Sequence, residues 1–333
     1  MLARCTAGDR GMALATELTR LLDIRHPILL APMGAVSGGK LAAAVTRAGG
    51  LGLLGPGYFG PDWIEQQFDA AGNTPVGIGF ITWHMEKHPE QLEAALSRKP
   101  RVVMLSFGDP APYIPLIRQT DALVIAQVQG LEMAAAAAKA GVDIIVAQGA
   151  EAGGHGASRG GMGLIPAVVD AVAPLPVVGA GGIADGRGLA AVLALGAAGA
   201  LIGTRFFASE EALGVPAAKE RLVKGQGDET LRTTIFDTVR KIDWPTPFTG
   251  RALANDFTRR WHGKEAALAA GLEAENARYV AAAGKGDVAT AVVWAGEGID
   301  LIHAIEPAEK ILTRIVGEAE AAIGRTGRLA TAG

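Results

Sequence analysis

Cysteine is almost absent from the sequence, which has only Cys5 among 333 residues. One cysteine cannot form an internal disulfide, and it cannot supply the paired thiolates of a zinc site or a CxxC redox motif. We therefore predict a protein of a reducing, cytoplasmic environment with no metal site.

Charge of one sign is also lacking. The formal net charge is −3, and Lys and Arg do not cluster along the sequence. Nucleic-acid binding and attachment to an anionic membrane are therefore not predicted. Aromatic residues make up 5% of the chain, whereas Ala, Leu, Val and Ile dominate a hydrophobic share of 49%. This composition is typical of a soluble α/β protein.

Long apolar runs are missing as well. The N-terminal segment contains Arg4, Asp9 and Arg10 and lacks the uninterrupted apolar region of a signal peptide. We expect the ordered chain to begin at Met12. The uncharged run 188–204 is divided by the sequence GAAG, so it predicts a helix, a turn and a strand rather than a membrane span of about 20 residues.

A repeated pattern fills the first two thirds of the chain. Short Val-, Ile- and Leu-rich runs alternate with Ala-rich helical patterns, as expected for buried parallel strands that helices connect. The predicted strands are residues 27–32, 50–55, 75–81, 101–107, 122–128, 142–148, 176–181 and 199–206. Eight such units predict a (β/α)8 TIM barrel, which we assign to residues 1–207.

The pattern changes after Phe207. Residues 208–295 carry charged helical patterns and irregular segments, and we interpret them as a smaller, mostly helical domain that covers one face of the barrel. Residues 296–333 predict a C-terminal helix that packs back on the barrel. The segment DWPTPFTG (243–250) places aromatic side chains where we expect an exposed surface, and this surface could form a homodimer.

Two glycine-rich loops predict a phosphate site. Ligands of TIM barrels bind at the carboxyl ends of the strands, and phosphate groups bind the loops after strands seven and eight. Here these loops are GAGGIADG (179–186) and IGTRFFAS (202–209). Glycine allows the backbone to approach an anion closely, and helix N-termini offer free N–H groups. A sugar phosphate, an amino-acid precursor and flavin mononucleotide (FMN) all fit this prediction.

Other strand ends favour a flavin. Pro32, Met33 and Gly34 follow strand one and could pass along the face of a planar ring. The amides of Gln127, Gln129 and Gln148 lie at the ends of strands five and six, where they suit the donor and acceptor edge of an isoalloxazine. Hydrogen bonding of these amides to loop backbone is the alternative interpretation.

His155 is the candidate catalytic residue. It lies in QGAEAGGHGA (148–157), directly after strand six, and a neutral imidazole is suited to accepting a proton near neutral pH. Glu151 in the same loop is interpreted as orienting the loop. The other histidines, which we interpret as structural or surface residues, are His26, His84, His88, His262 and His303. The aromatic side chains that could line an apolar pocket are Trp83, Phe107 and Phe207.

Several of these motifs together resemble the nitronate monooxygenases, formerly called 2-nitropropane dioxygenases. The motifs are APMG (31–34), GIGFITW (77–83), AQGAEAGGHGA (147–157), GAGGIADGRGLAAVLALGA (179–197) and IGTRF (202–206). The resemblance spans about residues 20–210 and continues more weakly through GRALANDFTRRW and WAGEGIDLI.

The resemblance implies an FMN-dependent barrel with a helical domain, no metal and no need for a reduced nicotinamide. It assigns the catalytic role to His155. The flavin contacts that it implies are Pro32, Met33, Gly34, Gln148, Gly153, Gly181, Gly182, Ile202, Gly203 and Thr204. Two flavin-site positions depart from the family pattern: Gly79 stands where many members have asparagine, and Gln127 stands where some have lysine.

The reaction implied by this family is oxidation of an alkyl nitronate. The nitronate would donate an electron to FMN, and O2 would react with the resulting radicals to give a carbonyl compound and nitrite. For a neutral nitroalkane, His155 would first remove the α-proton. An NAD(P)H-dependent quinone or enoyl-thioester reductase on the same scaffold is one alternative. A non-flavin barrel that binds a phosphorylated metabolite is the other.

Overall fold

The computed structural model describes residues 14–331, so the expected start of the ordered chain at Met12 lies outside the described residues. The strands are β1 (Ile28–Leu30), β2 (Leu53–Leu54), β3 (Gly77–Ile81), β4 (Val102–Ser106), β5 (Leu123–Val128), β6 (Ile144–Gln148), β7 (Gly154–Gly156), β8 (Val177–Ala180), β9 (Gly199–Ile202), β10 (Thr230–Thr233) and β11 (Thr249–Leu253).

Helices occupy most of the connections between these strands. They are α1 (Glu17–Leu22), α2 (Gly39–Arg47), α3 (Pro61–Ala71), α4 (Thr82–Met85), α5 (Glu90–Ser97), α6 (Ile114–Ile117), α7 (Leu131–Ala140), α8 (Gly161–Val172), α9 (Gly186–Ala194), α10 (Thr204–Phe207), α11 (Pro216–Lys224), α12 (Ile235–Val239), α13 (Asp256–Trp261), α14 (Glu265–Ala270), α15 (Leu272–Gly284) and α16 (Ala308–Thr331). Short 3₁₀ helices span Gly227–Glu229 and Glu297–Leu301.

Eight parallel strands form the predicted TIM barrel. Their order is β1-β9-β8-β6-β5-β4-β3-β2, and a parallel bridge between Leu29 and Leu51 joins the two ends of this order. Side chains alternate between two apolar layers. Ile144 and Val146 lie in the cluster inside the barrel, whereas Ile145 lies in the cluster between strands and helices. Burial on both faces explains the continuous apolar runs of the sequence.

The last barrel strand is shorter than predicted. The sequence predicts a strand through residue 206, but β9 ends at Ile202 and α10 begins at Thr204. Gly203 has φ −107° and ψ −80°, a conformation outside the β region that ends the strand. Thr204 therefore lies at the beginning of a helical turn at the rim of the barrel.

The C-terminal helix α16 takes the place of the eighth helix of the barrel, between α9 and α2. Its contact with α9 is close, because a Cβ atom on Gly186 would lie 2.3 Å from the backbone nitrogen of Ala319. Glu318 on α16 also accepts a 2.9 Å hydrogen bond from the Gly186 backbone N–H. The segment from the end of α10 to the beginning of α16 is thus an insertion between the eighth strand and the eighth helix.

This insertion contains strands as well as the expected helices. β10 and β11 pair antiparallel, and β11 also pairs with β7, which belongs to the loop after β6. In this register His155 lies opposite Gly250. Sequence patterns did not predict β7, because its glycines have low strand propensity and the pairing depends on a distant segment.

Helices α12, α14 and α15 enclose a separate apolar core in the insertion, around Phe236, Leu268 and Tyr279. The uncharged run 188–204 forms the end of α9, a turn and β9, as predicted. Within residues 14–331, no helix combines the length and the apolar content needed to cross a membrane.

Candidate active site

A cavity of about 470 Å³ opens at the carboxyl ends of the barrel strands. Most residues that the sequence assigns to the site lie on its surface: Pro32, Met33, Gly34, Gly79, Gln127, Gln148, Gly153, His155, Gly181, Gly182, Gly203 and Thr204. The insertion contributes Arg240, Trp244 and Trp294, and the loop after β2 contributes Tyr58. The barrel and the insertion therefore enclose the cavity together.

Ile202 does not line this cavity, and its contact with a flavin stays a prediction. Its side chain is 1% exposed and packs in the layer between strands and helices. The preceding residue, Leu201, lines the cavity instead. Alternation of side chains along β9 explains the difference, because neighbouring residues of a strand face opposite sides of the sheet.

Two of the aromatic side chains predicted to line a pocket do so. Phe107 and Phe207 are on the cavity surface, whereas Trp83 lies behind it with its ring centroid 5.3 Å from that of Trp244. Of the histidines, His155 lines the cavity and the five others do not. Among residues 14–331, no group of three or more His, Cys, Asp or Glu side chains is arranged to hold a metal ion.

The glycine-rich loops after β8 and β9 form a surface that fits a phosphate group. Gly181 and Gly182 have φ values of 108° and 70°, which other residues rarely adopt. Gly298, from the segment after the insertion, comes so close that a Cβ atom on it would lie 2.3 Å from the Gly182 carbonyl oxygen. Gly203 and Thr204 complete this surface. Backbone N–H groups without Cβ obstruction are the usual donors to a bound phosphate.

A glutamine network lies under the His155 loop. The Nε2 groups of Gln127 and Gln129 donate to Oε1 of Gln148, over 3.3 and 2.8 Å. Nε2 of Gln148 donates a 3.0 Å hydrogen bond to the His155 carbonyl oxygen. Gln148 thus makes the hydrogen bond to loop backbone that was the alternative interpretation. Gln127 and Gln148 also reach the cavity, where their contact with a flavin stays a prediction.

Charged side chains hold the loop from residue 149 to 161. The Glu151 carboxylate accepts hydrogen bonds of 2.9 and 3.0 Å from the Gly161 backbone N–H. The guanidinium groups of Arg232 and Arg251 both donate to the Ala150 carbonyl oxygen. Burial, and then the neighbouring Arg251, lower the pKa of Arg232 to about 10. The glycines of this loop thus occupy a fixed conformation.

The imidazole of His155 is held by a carboxylate of the insertion. Its Nε2 atom lies 2.8 Å from Oδ2 of Asp237, and the two side chains are 9% and 4% exposed. Its ring stacks on Trp244, with centroids 3.5 Å apart and planes 5° from parallel. Burial lowers the pKa of His155 below its ordinary value, although the Asp237 carboxylate acts in the opposite direction. The structure therefore places a neutral imidazole at the cavity surface.

The aromatic residues of segment 243–250 face inward, which corrects the exposed surface expected from the sequence. Trp244 packs edge to face on Phe107, with centroids 5.0 Å apart, and Phe248 is buried. The segment consequently gives no support to the expected homodimer.

Arg240 is the only guanidinium on the cavity surface among the described residues. Its charged group lies 5.6 Å from the centroid of the Tyr58 ring, and no carboxylate within residues 14–331 pairs with it. Burial raises the pKa of Tyr58 to about 12, although Arg240 lowers it. Asp237, Arg240 and Trp244 were not predicted as site residues from the sequence. Their one local signal is that Asp237 of α12 and Arg240, the residue that follows this helix, are three residues apart, a spacing that places side chains near each other in helical backbone.

A model of the nitronate monooxygenase family matches residues 15–79 and 73–318. The chain belongs to this family. The nitronate monooxygenase family consists of flavin-dependent oxidoreductases built on a TIM barrel, so this protein is an oxidoreductase. The alternative of a non-flavin barrel is not supported.

Individual proteins agree with the family assignment. The nitronate monooxygenase npaC of Metarhizium robertsii is 35% identical over 342 residues, which cover 88% of this chain and 91% of the relative. FabK from Thermotoga maritima has a TM-score of 0.83 at 29% identity, with 95% of this chain and 99% of that chain covered. The nitroalkane oxidase of Streptomyces ansochromogenes has a TM-score of 0.77 at 31% identity, covering 92% and 99%.

Proposed function

We propose that this protein uses FMN to oxidise alkyl nitronates with O2, giving carbonyl compounds and nitrite. It also takes neutral nitroalkanes, from which His155 removes the α-proton. The reaction is balanced when two nitronates and one O2 give two carbonyl compounds and two nitrite ions. The proposal includes a cytoplasmic location, which is based on the single cysteine of the chain. The observation that carries the proposal is the buried imidazole of His155, which lies on the surface of the cavity 2.8 Å from the Asp237 carboxylate.

The residues around the cavity fit FMN. The backbone of Gly181, Gly182 and Gly203 would hold its phosphate, because no Cβ atom blocks the N–H groups there. Residues 32–34 and the amide of Gln127 would contact the ring system. When bound, the flavin supplies the group that accepts an electron from the nitronate and passes it to O2. The protein residues bind, orient and protect the reactants.

The side chains around the cavity have complementary roles in this proposal. The Arg240 guanidinium, which has no carboxylate partner within residues 14–331, attracts the anionic substrate into the cavity. Trp244 and Tyr58 exclude bulk water, which would otherwise weaken the electrostatic attraction. His155, neutral because of its burial, takes the α-proton of a neutral nitroalkane and holds it as an imidazolium that Asp237 stabilises. A substrate that is already a nitronate needs no such proton transfer.

The test begins with the absorbance spectrum of the purified protein and chromatographic identification of the released cofactor. O2 uptake and nitrite release are then measured with ethyl nitronate and propionate 3-nitronate. We expect flavin bands, FMN, and nitrite formation that requires no added NADH. His155→Ala should retain the cofactor and lose most nitroalkane turnover, whereas His303→Ala, at an exposed site outside the cavity, should behave as the wild type. Unchanged nitroalkane rates in His155→Ala would remove His155 from the mechanism.

The same preparation tests the reductase alternative. Anaerobic bleaching of the bound flavin by NADH or NADPH, with no response to nitronates, would favour reduction of a quinone or an enoyl thioester. Bleaching by propionate 3-nitronate in the absence of nicotinamide would favour nitronate oxidation.

A further inference from the structure

The hydrogen bond between His155 and Asp237 determines where the imidazole proton lies. Nε2 is 2.8 Å from the Asp237 carboxylate, and Nδ1 has no hydrogen-bond partner among residues 14–331. An ionised carboxylate accepts hydrogen bonds and cannot donate one, and a neutral imidazole has a single N–H group. The proton of a neutral His155 must therefore be on Nε2, which leaves the lone pair of Nδ1 free.

The imidazole cannot easily turn to exchange its two nitrogens. One face of the imidazole stacks on the Trp244 ring, and the centroid of the Trp294 ring lies 5.1 Å from that of the imidazole. The backbone is fixed by pairing with Gly250 and by the hydrogen bond from Gln148 to the His155 carbonyl oxygen. The imidazole consequently has a defined orientation at the cavity surface, and its Nδ1 atom is not fully buried.

Asp237 is poorly suited to a purely structural role. The carboxylate is almost completely buried, yet its Oδ1 atom has no hydrogen-bond partner among the described residues. Burying a charged group with an unsatisfied oxygen costs free energy, and an ion pair in this environment gives little net stability. Such costs are typical of functional sites.

We infer that Asp237 is a positioning residue that holds His155 in the tautomer protonated on Nε2, so that Nδ1 is the base for neutral nitroalkanes. The inference depends on the proposed function for the identity of the substrate. Asp237 itself lies beyond the imidazole and acts only through it. Nitronates are already deprotonated, so their oxidation does not need this tautomer.

The charged and titratable groups around the pair determine the effect of removing the carboxylate. Burial lowers the pKa of His155, Asp237 raises it, and Arg240 after α12 and Arg232 of β10 lower it. Tyr58 from the loop after β2 and Tyr279 from α15 also lie near Asp237, and burial raises the pKa of both phenols. Removal of the carboxylate therefore moves the ionisation of His155 to lower pH.

The test compares Asp237→Asn with the control Asp121→Asn. Asp121 is exposed and precedes β5, at the end of the barrel opposite the cavity. An asparagine amide can donate to Nε2 and so shift the proton to Nδ1, the wrong tautomer for the base. In Asp237→Asn, we expect kcat/KM for freshly dissolved neutral nitroethane to fall about 100-fold, with its acid limb at lower pH. The rate with ethyl nitronate and the flavin content should stay at the level of the control. An equal loss with both substrates would overturn the inference.

A second measurement needs no variant at position 237. In holoenzyme containing ¹⁵N-labelled histidine, the His155 resonances, assigned by their absence in His155→Gln, report the protonation of each ring nitrogen. We expect Nε2 to carry the proton at neutral pH. A proton on Nδ1 would overturn the inference even if Asp237→Asn does not fold. Failure of the wild type to oxidise any nitronate would instead refute the proposed function and leave this tautomer measurement intact.

Discussion

The indole nitrogen of Trp244 donates a 2.7 Å hydrogen bond to the hydroxyl of Tyr58. Trp244 belongs to the insertion and Tyr58 to the loop after β2, so this bond joins the two parts of the protein across the cavity. Trp83 packs against both rings, with centroids 5.3 Å from Trp244 and 6.4 Å from Tyr58. The width of the cavity is thus set by aromatic side chains that hold one another in place.

Replacement of Trp244 by alanine should widen the substrate range. Loss of the indole removes a stacked ring from His155 and leaves space for a longer alkyl chain. We expect kcat/KM for ethyl nitronate to fall about 10-fold, because pocket contacts of this size contribute about 1–3 kcal/mol. Nitronates of about five or six carbons should gain in kcat/KM relative to ethyl nitronate, because the vacated space can bury the additional methylene groups. A chain-length series measured by nitrite release checks this, and an unchanged ranking would show that Trp244 does not limit the pocket.

Replacement of Arg240 by methionine should weaken binding of anionic substrates. Methionine keeps an apolar stem, but the substitution removes the only guanidinium that lines the cavity among the described residues. We expect KM for propionate 3-nitronate, which has two anionic groups, to rise more than KM for ethyl nitronate, and its salt dependence to decrease. Lys241→Met removes the neighbouring exposed charge and serves as the control. Equal KM values of Arg240→Met and Lys241→Met for propionate 3-nitronate would contradict the role of Arg240 in binding anionic substrates.

The pH dependence of nitroalkane oxidation should follow the ionisation of His155. Burial lowers its pKa, so the imidazole is neutral above a pH that lies below the ordinary value of about 6.5. Steady-state kcat/KM for neutral nitroethane should rise with pH, with the midpoint of this limb below about 6.5. Oxidation of preformed ethyl nitronate should lack this limb. A midpoint above that of free histidine would show that burial does not dominate.

Addition of one methyl group at Gly298 should weaken cofactor binding. Its Cβ atom would lie 2.3 Å from the Gly182 carbonyl oxygen, so the proposed phosphate-binding backbone must move. Gly298→Ala should therefore lose flavin during gel filtration and bind added FMN more weakly. In Gly163→Ala the methyl group enters open space on α8, and this control should retain its cofactor. Equal retention would argue against the phosphate position.

The buried ion pair between Arg205 and Glu306 should determine how the free energy of unfolding changes at acidic pH. Hydrogen bonds from Arg314 hold the pKa of Glu306 at about 2, against the opposing effect of burial. Its carboxylate therefore stabilises the fold fully above about pH 4.5, and this contribution is lost as pH falls toward 2. Glu306→Gln leaves Arg205 buried beside a neutral partner, which should cost about 3 kcal/mol at pH 7.

Denaturant unfolding of the holoenzyme measures the difference in free energy of unfolding between Glu306→Gln and the wild type. It should shrink as the pH is lowered, because the wild-type carboxylate becomes protonated as well. Glu309→Gln, at an exposed position of α16, provides the control. A difference between Glu306→Gln and wild type that is independent of pH would contradict the role of the ionised carboxylate.

The barrel was predictable because both faces of its strands are buried. The run 142–148, for example, has apolar side chains at consecutive positions and forms β6. Residues at the ends of such strands meet at one edge, which is why His155 and the loop glycines could be placed together. The side chain of Leu201 rather than that of Ile202 faces the cavity, because strand ends predict a location but do not determine which of two neighbouring side chains points inward.

The other half of the site could not be derived in this way. Asp237 is 82 residues beyond its partner His155, in a helix of five residues whose pattern resembles many surface helices. Trp244 lies in an irregular segment, where hydrophobic periodicity gives no information. Both side chains are brought to the cavity by the packing of the insertion, a tertiary effect that local patterns do not record.

The pairing of β7 with β11 also has a consequence for biosynthesis. The strand that carries His155 can pair only after Thr249–Leu253 has left the ribosome, when all eight barrel strands have already been made. Long-range pairing of this kind forms late and slowly compared with local structure. The residues that flank His155 therefore reach their final pairing only after the strands that surround the cavity have been synthesised.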